Sequence, residues 1–242
     1  MKRCAFLGLC FVSVLMLTAC QESVKDPVYK SVSLLGITMN VDGQLDEKIW
    51  ETAYWERDFT FPWQTMKTPA TAFCSASDRE YLYFAFKVQD TDIVYASGPD
   101  TDEKGVAKGD RVEIFFSKDE SLEDYYCLEM SPKGRVMDYR ASHYREFDHS
   151  WTCEGLQLAG QVVEDGYVVE GAIPFNTLIE LGLGKPGQKN RILTGLYRGE
   201  FSHGAGYTII QRWISWITPD AETPDFHIPS SFGHLEVSVG AK

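Results

Sequence analysis

Two segments in the middle of the chain carry two charged residues at a spacing of two, and a third segment carries one. Arg111 and Glu113 stand in GDRVEIFF, Glu129 stands in YYCLEM, and Arg198 and Glu200 stand in GLYRGEF. Successive side chains of a β-strand point to opposite faces of its sheet, so residues two apart share a face. If these three faces coincide, the sheet presents a groove of carboxylates and guanidiniums.

A groove of this kind suits a sugar, because the polar groups bond its hydroxyls and aromatic rings cover its apolar C–H faces. Trp63 in FTFPWQT and Trp216 in RWISWITPD border proline-containing loops and are candidates for the aromatic contacts. Phe226 and His227 lie between two prolines in PDFHIPSSFGHL and complete the set of candidate ligand-binding residues. Structural roles are the alternative, since a tryptophan in a β-sandwich is often core and the charged pairs could be surface ion pairs.

The residues around these candidates follow β-strand patterns. EYLYFAFKVQD has bulky residues on both faces, which predicts a central strand covered on two sides. Turns are predicted at residues 132–134 and at Asp165-Gly166, and short helices are predicted in LDEKIWETA and PFNTLIELGLG. We therefore predict an all-β fold, an antiparallel two-sheet β-sandwich of jelly-roll or immunoglobulin-like type with one or two short helices.

The N-terminus has the regions of a secretory signal. Lys2 and Arg3 precede an apolar run over residues 5–17, which ends in Leu-Thr-Ala-Cys at Cys20. This order predicts a lipoprotein signal over residues 1–19 and a lipid on Cys20. The alternative is an uncleaved membrane anchor, but the apolar run is shorter than the roughly 20 residues that a membrane span needs. We expect a tether over residues 20–30, one domain over residues 31–242, and an outer membrane lipoprotein of the cell envelope.

Composition limits the partners of the domain. The chain has a formal net charge of −12 and becomes more negative when Lys2 and Arg3 are removed. Such a surface repels phosphate backbones and anionic headgroups, so we expect no nucleic acid partner and a membrane contact only through the lipid on Cys20. The cysteines of the domain allow one disulfide at most. They are Cys74, Cys127 and Cys153.

Several motifs, taken in order, resemble a known family. VDGQLDEKIWETA, EYLYFAFKVQD, GDRVEIFF, DGYVVEGAIPFNTL, ISWITPD and FHIPSSFGHL together are similar to carbohydrate-binding module family 9, whose β-sandwich is related to DOMON domains. The resemblance spans residues 41–237 and implies non-catalytic binding of a glycan or oligosaccharide. A lipid-anchored protein of this kind would belong to a surface glycan-acquisition system and would have partner proteins there.

Family members clamp a terminal sugar between two tryptophans, with polar strand residues on its hydroxyls and calcium ions supporting loops. The resemblance implies that Glu113 is one of those polar residues. At the two tryptophan positions this sequence has Ala107 and Phe226. Trp63 or Trp216 could supply the missing wall, or a different ligand could be bound through Arg198, Glu200 and His227.

Three other functions stay open at this point. A glycoside-active enzyme would need two carboxylates across a cleft, such as Glu113 with Glu129 or Glu129 with Glu200. The DOMON relation allows haem bound by a methionine and a histidine, for instance Met130 with His227. A structural component of a surface complex would need no sugar at all. We expect no enzyme activity and no certain cofactor; calcium is a possibility in the acidic loops at residues 89–92 and 98–105.

Overall fold

Thirteen β-strands form two sheets in the computed structural model, which describes residues 27–34, 36–95 and 103–238. The strands are β1 (Val28–Lys30), β2 (Val32–Ser33), β3 (Thr71–Ser77), β4 (Tyr81–Gln89), β5 (Arg111–Ser117), β6 (Tyr125–Met130), β7 (Val136–Ser142), β8 (Glu146–Asp148), β9 (Gln157–Val163), β10 (Gly166–Pro174), β11 (Lys189–His203), β12 (Ile209–Ser215) and β13 (Gly233–Ser238). Cys20, the predicted signal and most of the predicted tether lie outside the described residues.

The two sheets stack face to face, which confirms the predicted all-β sandwich. The large sheet has the order β1-β13-β11-β5-β6-β7-β8, with β12 also paired to β11, and the small sheet has the order β2-β3-β4-β10-β9. Neighbouring strands are antiparallel except for β1 with β13 and β2 with β3. These parallel pairs arise because the N-terminal segment adds one strand to an edge of each sheet. Strand β1 consists of residues that the sequence analysis had placed in the tether.

The main core lies between the sheets. Alternate residues of β4, including Phe84 and Phe86, meet Ile114 and Leu128 from the large sheet. The other face of β4 is covered by a smaller cluster around Trp50, so β4 is buried on both sides, as its sequence predicted. Each buried large apolar side chain contributes about 1.5–3 kcal/mol. The two sheets are therefore held together mainly by apolar contacts.

Two short α-helices lie among the described residues, the first in the cluster around Trp50 and the second at the core between the sheets. Helix α1 (Lys48–Thr52) buries Ile49 and Trp50, and helix α2 (Phe175–Glu180) begins directly after Pro174. Both helices were predicted. No helix among the described residues is long and apolar enough to cross a membrane. The described cysteines Cys74, Cys127 and Cys153 are buried free thiols.

The large sheet also has a second covered face, which faces away from the small sheet and is called the outer face below. Its apolar cluster includes Phe115, Tyr125 and Tyr197, and it is covered by Phe226 and Phe232 from the loop before β13. The opposite side of the same sheet, toward the small sheet, is called the inner face. Because the outer face is only partly covered by this loop, it can form a pocket.

Candidate functional site

A pocket of about 300 Å³ opens on the outer face of the large sheet. Its lining combines charged, aromatic and loop residues, namely Arg111, Glu113, Glu129, Arg145, Trp213, Pro224, Asp225, Phe226 and His227. Small-molecule sites span roughly 300–1,000 Å³, so a pocket at the lower end of this range fits a single ring better than a chain. We call it the Glu113 pocket.

Strand register brings the floor of the pocket together. Glu113 on β5 lies opposite Glu129 on β6 and opposite Tyr197 on β11. One step along the same face, Gly199 of β11 pairs with Arg111 on one side and with Trp213 of β12 on the other. Trp213 therefore enters the pocket from β12, and the alternation of the strands places the charged groups beside it.

Because Gly199 has no side chain, the side chain of Arg111 can lie against its backbone. A Cβ atom at position 199 would lie 2.8 Å from Nη1 of Arg111. The same Nη1 atom donates hydrogen bonds to the backbone oxygens of Ala107 and Gly109, both at 3.3 Å. Arg111 is thus held between the short 3-10 helix Glu103–Lys108 and the floor of the pocket.

A buried ion group forms that floor. Nε of Arg111 lies 2.9 Å from Oε1 of Glu113 and 2.6 Å from Oε2 of Glu129. The hydroxyl of Tyr139 donates a 2.8 Å hydrogen bond to the other oxygen of Glu129. Only 2% of the Glu113 surface is exposed. The spacing of Arg111 and Glu113 allows a surface ion pair, but the pair is buried and shares Arg111 with a second carboxylate, Glu129.

One carboxyl group of this floor, that of Glu113, has a raised pKa. Burial, and next the negative charge of Glu129, raise the pKa of Glu113 to about 8, although Arg111 acts in the opposite direction. Glu113 therefore keeps its proton to a higher pH than an ordinary carboxyl group, and in this protonated form it can donate a hydrogen bond as well as accept one. The floor then offers both donors and acceptors to a ligand.

The loop before β13 forms one side of the pocket. Nδ1 of His227 lies 3.0 Å from the hydroxyl of Tyr125, and burial, with Arg145 next, lowers the pKa of His227 to about 3. The imidazole is therefore neutral. The Phe226 ring stacks on Tyr197 with the ring centres 4.1 Å apart and is only 6% exposed, so most of its surface is used in packing.

An ionic bridge closes the side of the pocket nearest β7 and β8. Nη2 of Arg145 lies 3.1 Å from Oδ1 of Asp225, and the hydroxyl of Tyr144 donates a 2.5 Å hydrogen bond to Oδ2 of the same carboxylate. Tyr144 and Arg145 belong to the turn between β7 and β8, whereas Asp225 precedes Phe226. The bridge fastens this turn to the loop before β13.

Five of the predicted ligand-binding residues meet in the Glu113 pocket. They are Arg111, Glu113, Glu129, Phe226 and His227. Trp63 lies behind Phe226, with ring centres 5.8 Å apart, and its Nε1 donates a hydrogen bond to the backbone oxygen of Ala221. Trp63 therefore supports the loop and does not line the pocket. Trp216 is 8% exposed and packs in the core between the sheets.

Arg198 and Glu200 lie on the inner face, away from the pocket. Nη2 of Arg198 is 3.1 Å from Oδ2 of Asp90 and also contacts Glu200. Glu200 lines a more open depression of about 450 Å³, which it shares with Lys67 and Arg212. The three charged faces of the sequence analysis therefore do not coincide, because the register of β11 turns its odd-numbered residues toward the pocket.

Sequence reasoning did not assign four of the lining residues to the site, which are Arg145, Trp213, Pro224 and Asp225. The hairpin of β11 and β12 places Trp213 opposite Gly199, and the glycines at its tip, Gly204 and Gly206, are the turn signal that could have indicated this pairing. Arg145 and Asp225 lie in loops, and β-strand periodicity gives no information about loop positions. The ion pair between Arg145 and Asp225 therefore depends on tertiary structure alone.

The haem alternative needs Met130 and His227 close together. Met130 pairs with Val112 and lies in the core between the sheets, whereas His227 covers the outer face. The sheet itself separates the two side chains. This pair cannot ligate one iron.

Asp90, Asp110 and Glu200 form a group that could hold a metal ion, with one ligand atom of each within 4.8 Å of the others. The chemistry of this group suits calcium poorly. Arg198 already contacts two of the carboxylates, and both oxygens of Asp110 accept backbone hydrogen bonds, from Val94 at 2.7 Å and from Phe201 at 2.9 Å. A divalent cation would compete with a buried guanidinium, so these residues do not fit calcium. Part of the second acidic loop, at residues 98–105, lies outside the described residues.

A β-sandwich with a small polar pocket and one tryptophan at its side has the features of a carbohydrate-binding module. The chain belongs to the carbohydrate family 9 binding domain-like family, whose model matches residues 41–239. This family consists of non-catalytic modules, so the chain is a binding protein and not an enzyme.

Solved structures share the fold. A family 9 carbohydrate-binding module from Caldicellulosiruptor kristjanssonii matches 88% of this chain in its cellotriose complex (18% identity, 94% of that chain, TM-score 0.56) and in its glucose complex (19% identity, 96% of that chain, TM-score 0.54). A protein from Bacteroides uniformis ATCC 8492, proposed to bind carbohydrate, matches 88% of this chain and 99% of its own, with 17% identity and a TM-score of 0.64. At these identities the likeness shows the fold alone. No curated protein matches the chain.

Proposed function

We propose that this protein binds a carbohydrate without transforming it and that the sugar occupies the Glu113 pocket. One observation carries the proposal: Arg111, Glu113 and Glu129 form a buried hydrogen-bonding floor directly beside Trp213. Family membership supports it, and so do the cellotriose and the glucose bound in two structures of a family 9 module with the same fold.

Each part of the pocket has a role in binding a sugar. The carboxyl group of Glu113 can donate and accept hydrogen bonds, which matches a hydroxyl group, itself both donor and acceptor. Trp213 is half-buried and can cover apolar C–H groups of the sugar ring, which removes them from water. The Arg145–Asp225 bridge limits the pocket on the far side, so the site accepts a terminal residue or a monosaccharide.

Calorimetry with monosaccharides and short oligosaccharides tests the proposal. Trp213→Ala should weaken binding at least tenfold, or about 1.4 kcal/mol, because the aromatic side of the pocket is lost. Trp151→Ala is a matched control, since Trp151 is also half-buried but packs against Tyr126, away from the pocket. Equal affinities of the two variants, or no sugar bound at millimolar concentration, would contradict the proposal and favour a structural role in a surface complex.

We further propose that lipid on Cys20 anchors the protein in the outer membrane and that it works with partner proteins of a glycan-acquisition system. The support comes from the signal in the sequence, in which an apolar run ends at Cys20. Labelling with a radioactive fatty acid should modify the wild-type protein and not Cys20→Ser. An unlabelled wild-type protein in the soluble periplasmic fraction would contradict this localisation.

A further inference from the structure

The two sides of the Glu113 pocket differ in chemistry. Trp213 stands on β12, and Arg145 follows β7, so that strands β11, β5, β6 and β7 lie between them in the sheet order. Both side chains nevertheless line the same pocket. A ligand in the pocket would therefore contact an aromatic ring on one side and an ionic bridge on the other.

A second aromatic wall is missing for identifiable reasons. Ala107, in the 3-10 helix Glu103–Lys108, has only a methyl group and contributes its backbone oxygen to Arg111. Phe226 is stacked on Tyr197 and meets Trp213 edge-on, with ring centres 6.0 Å apart. Neither residue offers a free ring face opposite Trp213.

Pyranoses differ in how well they suit such a pocket. A gluco-configured ring has all its hydroxyls equatorial, so both of its faces expose axial C–H groups and both suit aromatic contacts. An axial hydroxyl, at C4 in galactose or at C2 in mannose, makes one face polar and leaves the opposite face apolar. A pocket with one aromatic and one ionic side matches a ring with one apolar and one polar face, because buried polar groups require partners.

We infer that the Glu113 pocket prefers a pyranose with an axial hydroxyl, with its apolar face on Trp213 and its axial hydroxyl directed to Arg145. The inference rests on the proposed function and names its substrate class. Arg145 can serve this hydroxyl because a guanidinium has five N–H donors, and Asp225 accepts from one nitrogen only. Asp225 also holds the guanidinium in position, so little side-chain entropy is lost on binding.

Calorimetric titrations with methyl β-galactoside, methyl β-mannoside and methyl β-glucoside test this inference. We expect the galactoside or the mannoside to bind at least about tenfold more tightly than the glucoside, since a hydrogen bond to a charged group is among the stronger ones. Arg145→Met should lower the affinity for the galactoside or the mannoside about tenfold more than the affinity for the glucoside, so that the preference disappears. Circular dichroism and the melting temperature of the variant report separately whether it is folded.

Arg140→Met is the matched control, because Arg140 is an exposed arginine of β7 that pairs with Asp124 outside the pocket. It should retain the wild-type preference. The inference is overturned if the glucoside binds as tightly as the other two sugars, or if Arg145→Met weakens all three equally. If none of the three sugars binds the wild-type protein and other glycans also fail, the proposed function itself is overturned.

Discussion

Replacing Glu113 by glutamine should remove a large part of the pH dependence of stability. Burial and Glu129 raise the pKa of Glu113 from 4.5 to about 8, so the folded protein keeps a proton there that the unfolded chain loses above pH 4.5. The contribution of this group is therefore most favourable below the unfolded pKa and is lost as the pH rises toward 8. Glutamine mimics the protonated carboxyl group and cannot ionise.

The size of the effect follows from the two pKa values. Within the window between them, the free energy of unfolding should fall by about 1.4 kcal/mol for each pH unit, which amounts to a few kcal/mol over the window. In the Glu113→Gln variant this part of the fall should be absent, whereas the part that comes from Asp110, whose pKa burial raises to about 7, should remain. The difference between the two proteins should therefore grow with pH and level off near the folded pKa of Glu113.

Urea unfolding followed by tryptophan fluorescence between about pH 5 and about pH 8 measures this difference. Glu120→Gln is the control, because Glu120 is an exposed carboxylate in the turn after β5. Its curve should run parallel to that of the wild type. If the Glu113→Gln curve also runs parallel to the wild type, Glu113 is ionised in the folded protein and the reasoning about the pocket floor fails.

Three further changes test other parts of the structure. Arg198→Met leaves the buried Asp90 without its cation and should lower the free energy of unfolding in urea by about 3–5 kcal/mol. Gly199→Ala would place a Cβ atom 2.8 Å from Arg111 and move its guanidinium, so calorimetry should show weaker sugar binding. His227→Asn should make the protein less sensitive to acid in denaturant titrations. Burial lowers the pKa of His227 from 6.5 to about 3, so the wild type loses stability as the pH falls below 6.5.

The sequence predicted the elements of the fold more reliably than their arrangement. Alternation in β4, the turn at residues 132–134 and the hairpin at Gly166 are local properties, and each occurs as predicted. A Cβ atom at position 166 would lie 1.9 Å from the backbone oxygen of Val88, which explains the glycine at that turn. The parallel edge strands β1 and β2 escaped prediction, because two or three residues carry too little periodicity.

For the pocket, the sequence identified residue types better than positions. Arg111, Glu113 and Glu129 share a face because they lie on neighbouring strands with matching register. Arg198 has the same spacing to Glu200, but its strand presents them to the other face, and a spacing of two does not say which face is which. The acidic residues of the sequence allowed calcium. In the structure the guanidinium of Arg198 already neutralises Asp90 and Glu200, so no calcium ion is needed there. A rise in melting temperature on adding calcium would contradict this view.

Strand β1 determines how far the domain can lie from its proposed anchor. The backbone N–H of His234 donates a 2.9 Å hydrogen bond to the oxygen of Pro27, so the chain enters the fold beside the start of β13, which directly follows the loop with Phe226 and His227. At about 3.3–3.6 Å for each residue, the link from Cys20 to Pro27 can span at most about 25 Å. A lipid on Cys20 would thus keep the sugar site within one domain's width of the bilayer. The protein would hold glycans by their chain ends at the membrane surface, where several anchored copies can bind the separate ends of one branched glycan.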